Sequence, residues 1–201
     1  MHVPDKWQFP SNEEVTAFIH KFSFATLVSP SLDSSRLPLV YDESTSQLIG
    51  HFARSNPHWK TANNSRCLAI FDGPHSYISP TWYDSHPAVP TWNYASVHIK
   101  GLVTLLEPEQ TLQSLHDLIN KYEPTLNYAN NVMTKEYQQK LLKGIVGFSM
   151  KVEQIEAKAK LGQHRTAADQ KAVAESLSLQ GSANSEQLLA LMRQWKIGVG
   201  E

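Results

Sequence analysis

The sequence predicts a mainly β fold with added helices (α+β): a barrel or meander of short strands with flanking helices and a C-terminal helical pair. Three observations predict it. Short β-rich runs broken by turn residues extend from Phe24 to about Glu107. One more alternating strand follows a helical stretch over about residues 108–143. Two helical segments then follow Thr166.

The first element is a helix that begins at a capping box. In Ser11-Asn12-Glu13-Glu14 the serine side chain accepts from the Glu14 backbone, and the Glu14 side chain reaches back to the start of the helix. Apolar residues then recur at helical spacing: Val15, Phe18, Ile19 and Phe22. The helix is therefore expected to end near Phe22.

The early strands are predicted from short apolar runs between turn residues. These runs are Ala25–Val28, Leu37–Tyr41, Gln47–Ala53 and Leu68–Phe71. After Ala53, Ser55-Asn56-Pro57 predicts a short helix that opens at Asn56 and runs through Ala62. Pro57 would occupy its first helical position, where a missing N–H costs nothing.

The second half of the core is predicted to contain three more strands. Asp72-Gly73-Pro74 predicts a turn, after which His75–Ser79 returns as a strand before a proline-rich loop from Pro80 to Pro90. Alternating residues from Val97 to Leu105 predict the next strand, with Gly101 as a bulge or a point of close approach. The helical face Leu112, Leu115, Ile119 and Tyr122 precedes the final strand, at Val146 to Val152.

The last forty residues are predicted to be helical. Gly162 to Thr166 interrupts the strand pattern, and Ala167 to Leu177 and a stripe ending at Trp195 form two helices around a Gly-Ser linker. The domain organisation that follows is a barrel domain at 1–160 and a C-terminal helical extension at 161–201.

Composition limits the function classes. The net charge is -1, from 18 basic and 19 acidic side chains, so no chain-wide field attracts a polyanion. Cys67 is the single cysteine and lies in a predicted core strand, which favours a buried thiol over a reactive one. The chain has no apolar run of membrane-spanning length, and its start lacks a signal-peptide layout. A cytoplasmic protein without a membrane partner is expected.

A phosphate-binding turn is the first candidate site. A strand ends next to Arg54, and Ser55 and Lys60 follow at the start of a predicted helix. Free backbone N–H groups at such a start, a planar guanidinium and a point charge suit a phosphate monoester. The alternative is that both cations are solvated surface residues.

An aromatic loop is the second candidate. Four aromatic residues could wall a flat ring: Trp82, Tyr83, Trp92 and Tyr94. Three polar residues could hydrogen-bond the edge of that ring: Ser79, Thr91 and Asn93. The alternative is a loop held in place by its own aromatic side chains.

Other patterns carry less information. The histidines of the barrel region (His51, His58, His75, His86 and His98) lack metal-ligand spacing, so ordinary polar or core roles are favoured. The basic segment Lys158–Arg165 could close over an anionic ligand or be a solvated turn. No Gly-x-Ser-x-Gly and no glycine-rich nucleotide loop occurs, which argues against hydrolase, Rossmann and P-loop chemistry.

Four short sequence motifs carry a family resemblance. They are Leu48–Trp59 (LIGHFARSNPHW), Phe71–Tyr83 (FDGPHSYISPTWY), Val89–Tyr94 (VPTWNY) and Lys160–Arg165 (KLGQHR). Over nearly its whole length the chain resembles the PaiB family of FMN-binding negative transcriptional regulators. In the family the last of these motifs is Lys-Leu-Ser-Gln-Asn-Arg. Gly162 and His164 depart from it, which weakens any role for a hydroxyl or an amide at these two positions.

The resemblance implies an FMN-binding split β-barrel, related to the pyridoxamine-phosphate oxidase group. It also implies a homodimer with FMN at the subunit interface and the phosphate held by Arg54, Ser55 and Lys60. Pattern and resemblance together predict twelve cofactor-binding residues and no metal ligand, and they leave the catalytic residues unassigned. The twelve are His51, Arg54, Ser55, Asn56, Trp59, Lys60, Ser79, Trp82, Trp92, Asn93, Gln163 and Arg165.

The resemblance leaves three functions open. The first is a regulator whose flavin is a sensor or a structural ligand. The second is a flavin-dependent oxidoreductase with His51, His75 or His98 as candidate proton donors. The third is a haem-handling protein of the same architecture. Direct DNA contact by the tail is weakly supported, because its cations Lys171, Arg193 and Lys196 are offset by Asp169, Glu175 and Glu186.

Overall fold

The computed structural model describes residues 1–128 and 134–200. In these ranges the strands are β1 (Phe24–Val28), β2 (Ser34–Pro38), β3 (Val40–Asp42), β4 (Gln47–Ala53), β5 (Arg66–Ile78), β6 (Thr91–Leu105) and β7 (Ile145–Lys160). The α-helices are α1 (Asn12–Lys21), α2 (His58–Ala62), α3 (Pro108–Tyr122), α4 (Lys135–Leu142), α5 (Ala167–Leu179) and α6 (Ala183–Trp195). Short 3-10 turns lie at Asp5–Trp7, Pro80–Trp82 and Pro124–Tyr128.

The strands form one sheet in the order β2-β1-β5-β6-β7-β4-β3. Strand β4 pairs with β7 in antiparallel register from Gln47 opposite Lys151 to Ala53 opposite Ile145. The last strand of the chain therefore lies inside the sheet, between β6 and β4. This confirms the prediction that the sheet receives its final strand only after a helical excursion.

The chain divides into two compact units. Unit 1 comprises Met1–Phe18, Asp72–Val97 and Glu156–Glu201, and unit 2 comprises Ile19–Phe71 and His98–Ile155. Strands β5, β6 and β7 each contribute residues to both units. Helices α5 and α6, which form the predicted C-terminal pair, belong to unit 1, and the domain boundary at residue 160 stays a prediction. No helix in the described ranges is long and apolar enough to cross a bilayer.

The core of unit 2 is built by the alternation of its strands. Leu48 and Phe52 on β4 and Phe148 on β7 are fully buried, and the rings of Phe52 and Phe148 lie 4.8 Å apart. Cys67 on β5 is also buried, and this burial raises the pKa of its thiol to about 11. The thiol therefore stays protonated at neutral pH, as predicted for an inert core cysteine.

The core of unit 1 joins the first helix to the last. The Phe9 ring lies 5.1 Å from Phe18 and 4.7 Å from Trp195. The Glu14 backbone N–H donates to Ser11 Oγ at 3.3 Å, so half of the predicted capping box forms. The Glu14 carboxylate accepts instead from Trp195 Nε1 at 2.6 Å. A long-range partner has replaced the local one, because the indole N–H needs an acceptor when its ring is buried.

Three local predictions are wrong. The predicted turn at Asp72–Pro74 is part of the continuous strand β5. Strand β1 pairs only with Leu68–Ile70, so Pro74 lies beyond that ladder and its missing N–H breaks no hydrogen bond to β1. Helix α2 begins at His58 rather than Asn56, with Pro57 as its N-cap. Strand β7 extends to Lys160, so the first three residues of the basic segment Lys158–Arg165 lie on a strand.

Candidate functional site

The predicted cofactor-binding residues divide between the two units. Those in unit 2 are His51, Arg54, Ser55, Asn56, Trp59 and Lys60. Those in unit 1 are Ser79, Trp82, Trp92, Asn93, Gln163 and Arg165. Within each unit these residues fall on a few short stretches of chain.

The turn between β4 and α2 is held by its own hydrogen bonds. The Asn56 N–H donates to the Ala53 carbonyl at 2.9 Å, and Asn56 Oδ1 accepts from the His58 N–H at 3.1 Å. Trp59 Nε1 donates to the Arg54 carbonyl at 3.2 Å. The His58 N–H is therefore not available to a ligand. Helix α2 has only five residues, so we do not count on its N-terminus to bind an anion. The hydrogen-bond donors that the turn offers to a ligand are therefore mainly side chains.

A serine–histidine pair, in which the histidine is buried, supports the turn. Asn56 Nδ2 donates to Ser35 Oγ at 2.8 Å, and Ser35 Oγ is hydrogen-bonded to His58 Nδ1 at 2.8 Å. His58 is buried, and this burial lowers the pKa of its imidazole. A neutral imidazole can exchange a hydrogen bond with a hydroxyl. Ser35 and His58 were missed as site residues, since only the Asn-Pro-His spacing hinted at a role for His58.

Arg54 is oriented by two backbone carbonyls. Its Nε donates to the Lys143 carbonyl at 2.9 Å, and its Nη2 donates to the Ile145 carbonyl at 2.7 Å. A guanidinium has five N–H donors, so three remain for a ligand. The side chain is exposed, and the two carbonyls fix the plane in which those donors lie.

The positive charge of the turn is not balanced by acidic groups. Ser55 and Lys60 are exposed, and the Lys60 ammonium lies 5.5 Å from the centroid of the Trp59 ring. Within residues 1–128 and 134–200, neither Arg54 nor Lys60 forms an ion pair. Two cations and a free hydroxyl on a rigid turn fit a phosphate monoester.

A cleft of about 260 Å³ opens beside Arg54 and Trp59. Its walls are mostly apolar and include Leu105, Pro108 and Ile145. An apolar cleft next to a cationic turn suits a ligand with an anionic end and an uncharged body. Sequence analysis did not find this cleft, because its walls come from strands and helices that are distant in the sequence.

His51 faces away from the core side of β4. It is half-buried, and burial lowers the pKa of its imidazole. Its Nδ1 is buried and has no hydrogen-bond partner among the described residues. At neutral pH this imidazole is uncharged and has an unused ring nitrogen.

In unit 1, Ser79 and Trp82 form a tight local structure. Ser79 Oγ accepts from the Thr81 N–H at 3.2 Å and is hydrogen-bonded to Thr81 Oγ1 at 2.8 Å. Ser79 therefore caps the 3-10 turn that contains Trp82, which is half-buried. These contacts give Ser79 a structural role, and its predicted contact with a cofactor stays a prediction.

An exposed aromatic patch surrounds Trp92. The Trp92 side chain is 52% exposed, and its ring lies 5.9 Å from Tyr77 and 6.0 Å from His75. Asn93, the next residue on β6, is buried because strand neighbours point to opposite faces. Tyr77 was not predicted as a site residue, although the alternation of β5 places it on the same face as His75.

The turn after β7 is tied to the N-terminal segment by Gln163. Its Nε2 donates to the Lys6 carbonyl at 2.9 Å and to the Ala159 carbonyl at 2.7 Å, while its Oε1 accepts from the Leu161 N–H at 2.8 Å. Both amide hydrogens are used in this way. The predicted contact of Gln163 with a cofactor is untested.

The proline-rich loop is anchored by a buried carboxylate. Asp169 on α5 is 1% exposed and accepts from the Ser85 N–H at 2.9 Å and from Ser85 Oγ at 2.5 Å. The hydrogen bonds from Ser85 lower the pKa of this carboxyl. The anchor holds the loop that follows Trp82.

We expect Asp169→Asn to make the folding stability of the protein depend less on pH in the acid range. A carboxyl whose pKa is depressed on folding stabilises the protein above its unfolded pKa, and this contribution is lost as the pH falls through the folded pKa. The urea midpoint of the parent should therefore fall more steeply below about pH 4 than that of the variant. Asp84→Asn, which changes an exposed neighbour in the same loop, is the control and should follow the parent. Parallel curves for Asp169→Asn and the parent would contradict the role of the anchor.

Comparison with known sequences shows the family. A family described as "Putative FMN-binding domain" matches residues 1–154. The protease synthase and sporulation protein PAI 2 of Bacillus subtilis is 37% identical over 202 residues, which cover 96% of each chain. A protein of Saccharomyces cerevisiae is 31% identical over 112 residues, which cover 51% of this chain and 66% of that one.

Comparison with solved structures shows the fold. The flavocytochrome Anf3 of Azotobacter vinelandii superposes with a TM-score of 0.60 at 12% identity, over 80% of this chain and 73% of that one. A FAD- and heme-binding protein of Mycobacterium smegmatis gives 0.58 at 12% identity, over 77% and 74%. The predicted split barrel, the family and FMN as the cofactor are confirmed. The chain therefore belongs to the PaiB family of FMN-binding split-barrel proteins.

Proposed function

We propose that this protein is a PaiB-type regulator that binds FMN through the turn Arg54–Lys60 and acts as a homodimer. One observation carries the phosphate assignment: among the described residues Arg54 and Lys60 have no acidic partner, and they lie on a turn that its own hydrogen bonds hold in place. A preorganised cationic turn loses little conformational entropy on binding. The relationship to PAI 2 supports the regulatory role.

Each residue of the turn has a separate task in this proposal. Arg54 donates its remaining N–H groups to phosphate oxygens, Ser55 donates its hydroxyl, and Lys60 supplies a second positive charge. Asn56 and Trp59 keep the turn in shape through their backbone contacts. Bound FMN would supply electron-transfer chemistry, or it would serve as a ligand whose redox state can be sensed.

The flavin ring needs an aromatic or apolar surface. The exposed ring of Trp92 and the apolar cleft beside Trp59 are the two surfaces that could accept it. We retain Ser79, Trp82 and Asn93 as candidate contacts to the edge of the ring. In a homodimer some of these contacts would come from the partner subunit.

An oxidoreductase is the second candidate function. It is favoured by His51, whose imidazole is uncharged at neutral pH and whose buried Nδ1 has no partner among the described residues. Such a nitrogen can accept or deliver a proton at a substrate while the flavin exchanges electrons. In this role His51→Asn would lower kcat and leave FMN affinity unchanged.

A comparison of FMN with riboflavin tests the phosphate assignment. Riboflavin has the same ring without the phosphate, so apoprotein should bind it at least about tenfold more weakly, because charge-assisted hydrogen bonds are lost. Flavin fluorescence quenching in a titration measures both affinities. Equal affinities for FMN and riboflavin would show that the phosphate does not contribute to binding.

A second experiment separates regulator from enzyme. FMN-loaded protein is titrated with promoter and random DNA fragments over a salt series, and NAD(P)H-dependent flavin reduction is followed on the same sample. Sequence-specific DNA binding without turnover supports the regulator. Turnover with only salt-sensitive, sequence-independent DNA binding supports the oxidoreductase.

A further inference from the structure

A basic cluster lies around the indole of Trp7 in unit 1, with Arg165 joined to it beside Lys160 and His164. Its members are Lys6, Lys158, Lys160, His164 and Arg165. The ammonium groups of Lys6 and Lys158 each lie 5.0 Å from the centroid of the Trp7 ring, and that of Lys160 lies 5.9 Å away. The imidazole of His164 lies at the edge of the same indole, 6.5 Å between centroids.

The basic cluster is not neutralised by the chain itself. Among the residues that the structure describes, no member forms an ion pair with a carboxylate. Lys160 donates to Thr91 Oγ1, a neutral partner. Glu156, on the same strand as Lys158, forms an ion pair with the N-terminal amino group. Like charges held this close repel one another, and an anion bound between them would offset this repulsion.

The electrostatic strain is visible in two titrating groups. Burial, with the charges of Lys158 and Arg165, lowers the pKa of Lys160. Burial, with the charges of Arg165, Lys6 and Lys160, lowers the pKa of His164. Burial contributes most to both shifts, the neighbouring cations add to them, and a bound anion would oppose them.

Two buried donors in the basic cluster have no acceptor. Trp7 Nε1 and Arg165 Nε are both inaccessible to solvent and have no hydrogen-bond partner among the described residues. The Arg165 guanidinium lies 4.2 Å from the ring of Tyr83, which fixes its plane. Buried N–H groups are rarely left unpaired in native proteins, so unpaired donors beside unpaired cations indicate a missing acceptor.

These observations describe a binding site for an oxyanion. We propose that the basic cluster binds the doubly charged phosphate group of a small organic molecule while FMN is bound elsewhere on the protein. The aromatic rings of Trp7 and Tyr94, which both lie near Lys158, offer that molecule a flat surface. For a regulator this molecule is an effector, and for an oxidoreductase it is a substrate.

This proposal differs from the sequence prediction for one residue. Arg165 was predicted as an FMN ligand, whereas the basic cluster assigns it to a second anion. The proposal does not depend on the phosphate site at Arg54, and the two can fail separately.

The test is a titration of the FMN-loaded protein with inorganic phosphate. Chloride keeps the ionic strength constant, calorimetry measures binding, and the flavin spectrum reports whether FMN stays bound. We expect saturable phosphate binding, at least about tenfold weaker in Lys160→Gln and in Arg165→Gln, because each removes a charge-assisted bond. Arg193→Gln, an exposed cation of α6 in the same unit, is the matched control and should bind phosphate like the parent. Acetate, with one charge, should bind more weakly than phosphate.

A second measurement reports on the site directly. In NMR titrations of the holoprotein, saturating phosphate should raise the pKa of His164. The ring resonances of the exposed His2 should not respond to phosphate. Absence of saturable phosphate binding would overturn the proposal. So would release of FMN by phosphate, or a loss of FMN affinity in Arg165→Gln as large as that in Arg54→Ala, because the basic cluster would then hold the flavin phosphate itself.

Discussion

Arg54→Ala is expected to weaken FMN binding by about 10- to 100-fold. A charge-assisted hydrogen bond contributes about 1.5–3 kcal/mol, and each 1.4 kcal/mol corresponds to about a tenfold change in affinity. Fluorescence titration of apoprotein with FMN gives the ratio of dissociation constants. Riboflavin affinity should change much less, because riboflavin has no phosphate to lose.

Two further variants separate charge from geometry. Arg54→Lys keeps the charge but loses the planar fork that donates to the carbonyls of Lys143 and Ile145. It should therefore recover only part of the affinity. Arg36→Ala is the matched control, because Arg36 is exposed and also donates to a backbone carbonyl, that of Phe24. If Arg54→Ala and Arg36→Ala bind FMN equally well, Arg54 does not belong to the phosphate site.

Gly101→Ala is expected to cause a large loss of stability. A Cβ atom at Gly101 would overlap the backbone carbonyl of Lys151, and a backbone atom cannot rotate away as a side chain can. Overpacking of this kind costs about 1–3 kcal/mol. For a chain of this length each kcal/mol lowers the midpoint by about 2–4 °C, so a loss of roughly 2 to 12 °C should be seen in thermal unfolding.

Gly144→Ala provides the control for this prediction. A Cβ atom there would lie 3.3 Å from the Leu141 carbonyl, a tight contact that a small shift relieves. Its midpoint should change by much less than that of Gly101→Ala. Equal losses in the two variants would show that the close approach of β6 to Lys151 does not limit the residue at position 101.

Most elements of the fold were predictable because their patterns are local. The alternation of Val97 to Leu105 and the helical spacing from Val15 to Phe22 both depend on neighbouring residues, and the structure confirms a strand and a helix there. Gly101 was also predicted as a point of close approach. A turn was wrongly predicted at Asp72–Pro74, because Gly and Pro usually end a strand, whereas β5 continues through them beyond its short ladder with β1.

The candidate site was predicted less completely than the fold. The residue types around Arg54, together with the family motifs, predicted which turn carries the cations. The support from Ser35 and His58 was not predictable, since Ser35 lies on a different strand from the turn it supports. The basic segment was noticed in the sequence, but its gathering around Trp7 was not, because the N-terminal segment and β7 are far apart in the chain.

Local sequence patterns alone thus establish the order of strands and helices, the C-terminal helical pair and the identity of the cationic turn. Backbone periodicity and short motifs act over a few residues, so they can be recognised without coordinates. Tertiary packing decided that the Glu14 carboxylate accepts from the Trp195 indole and which carbonyls orient Arg54. It also decided which cations beside Trp7 have no ion pair within the described part of the chain. Those contacts depend on which distant segments are buried against each other, and neither spacing nor composition specifies such pairs.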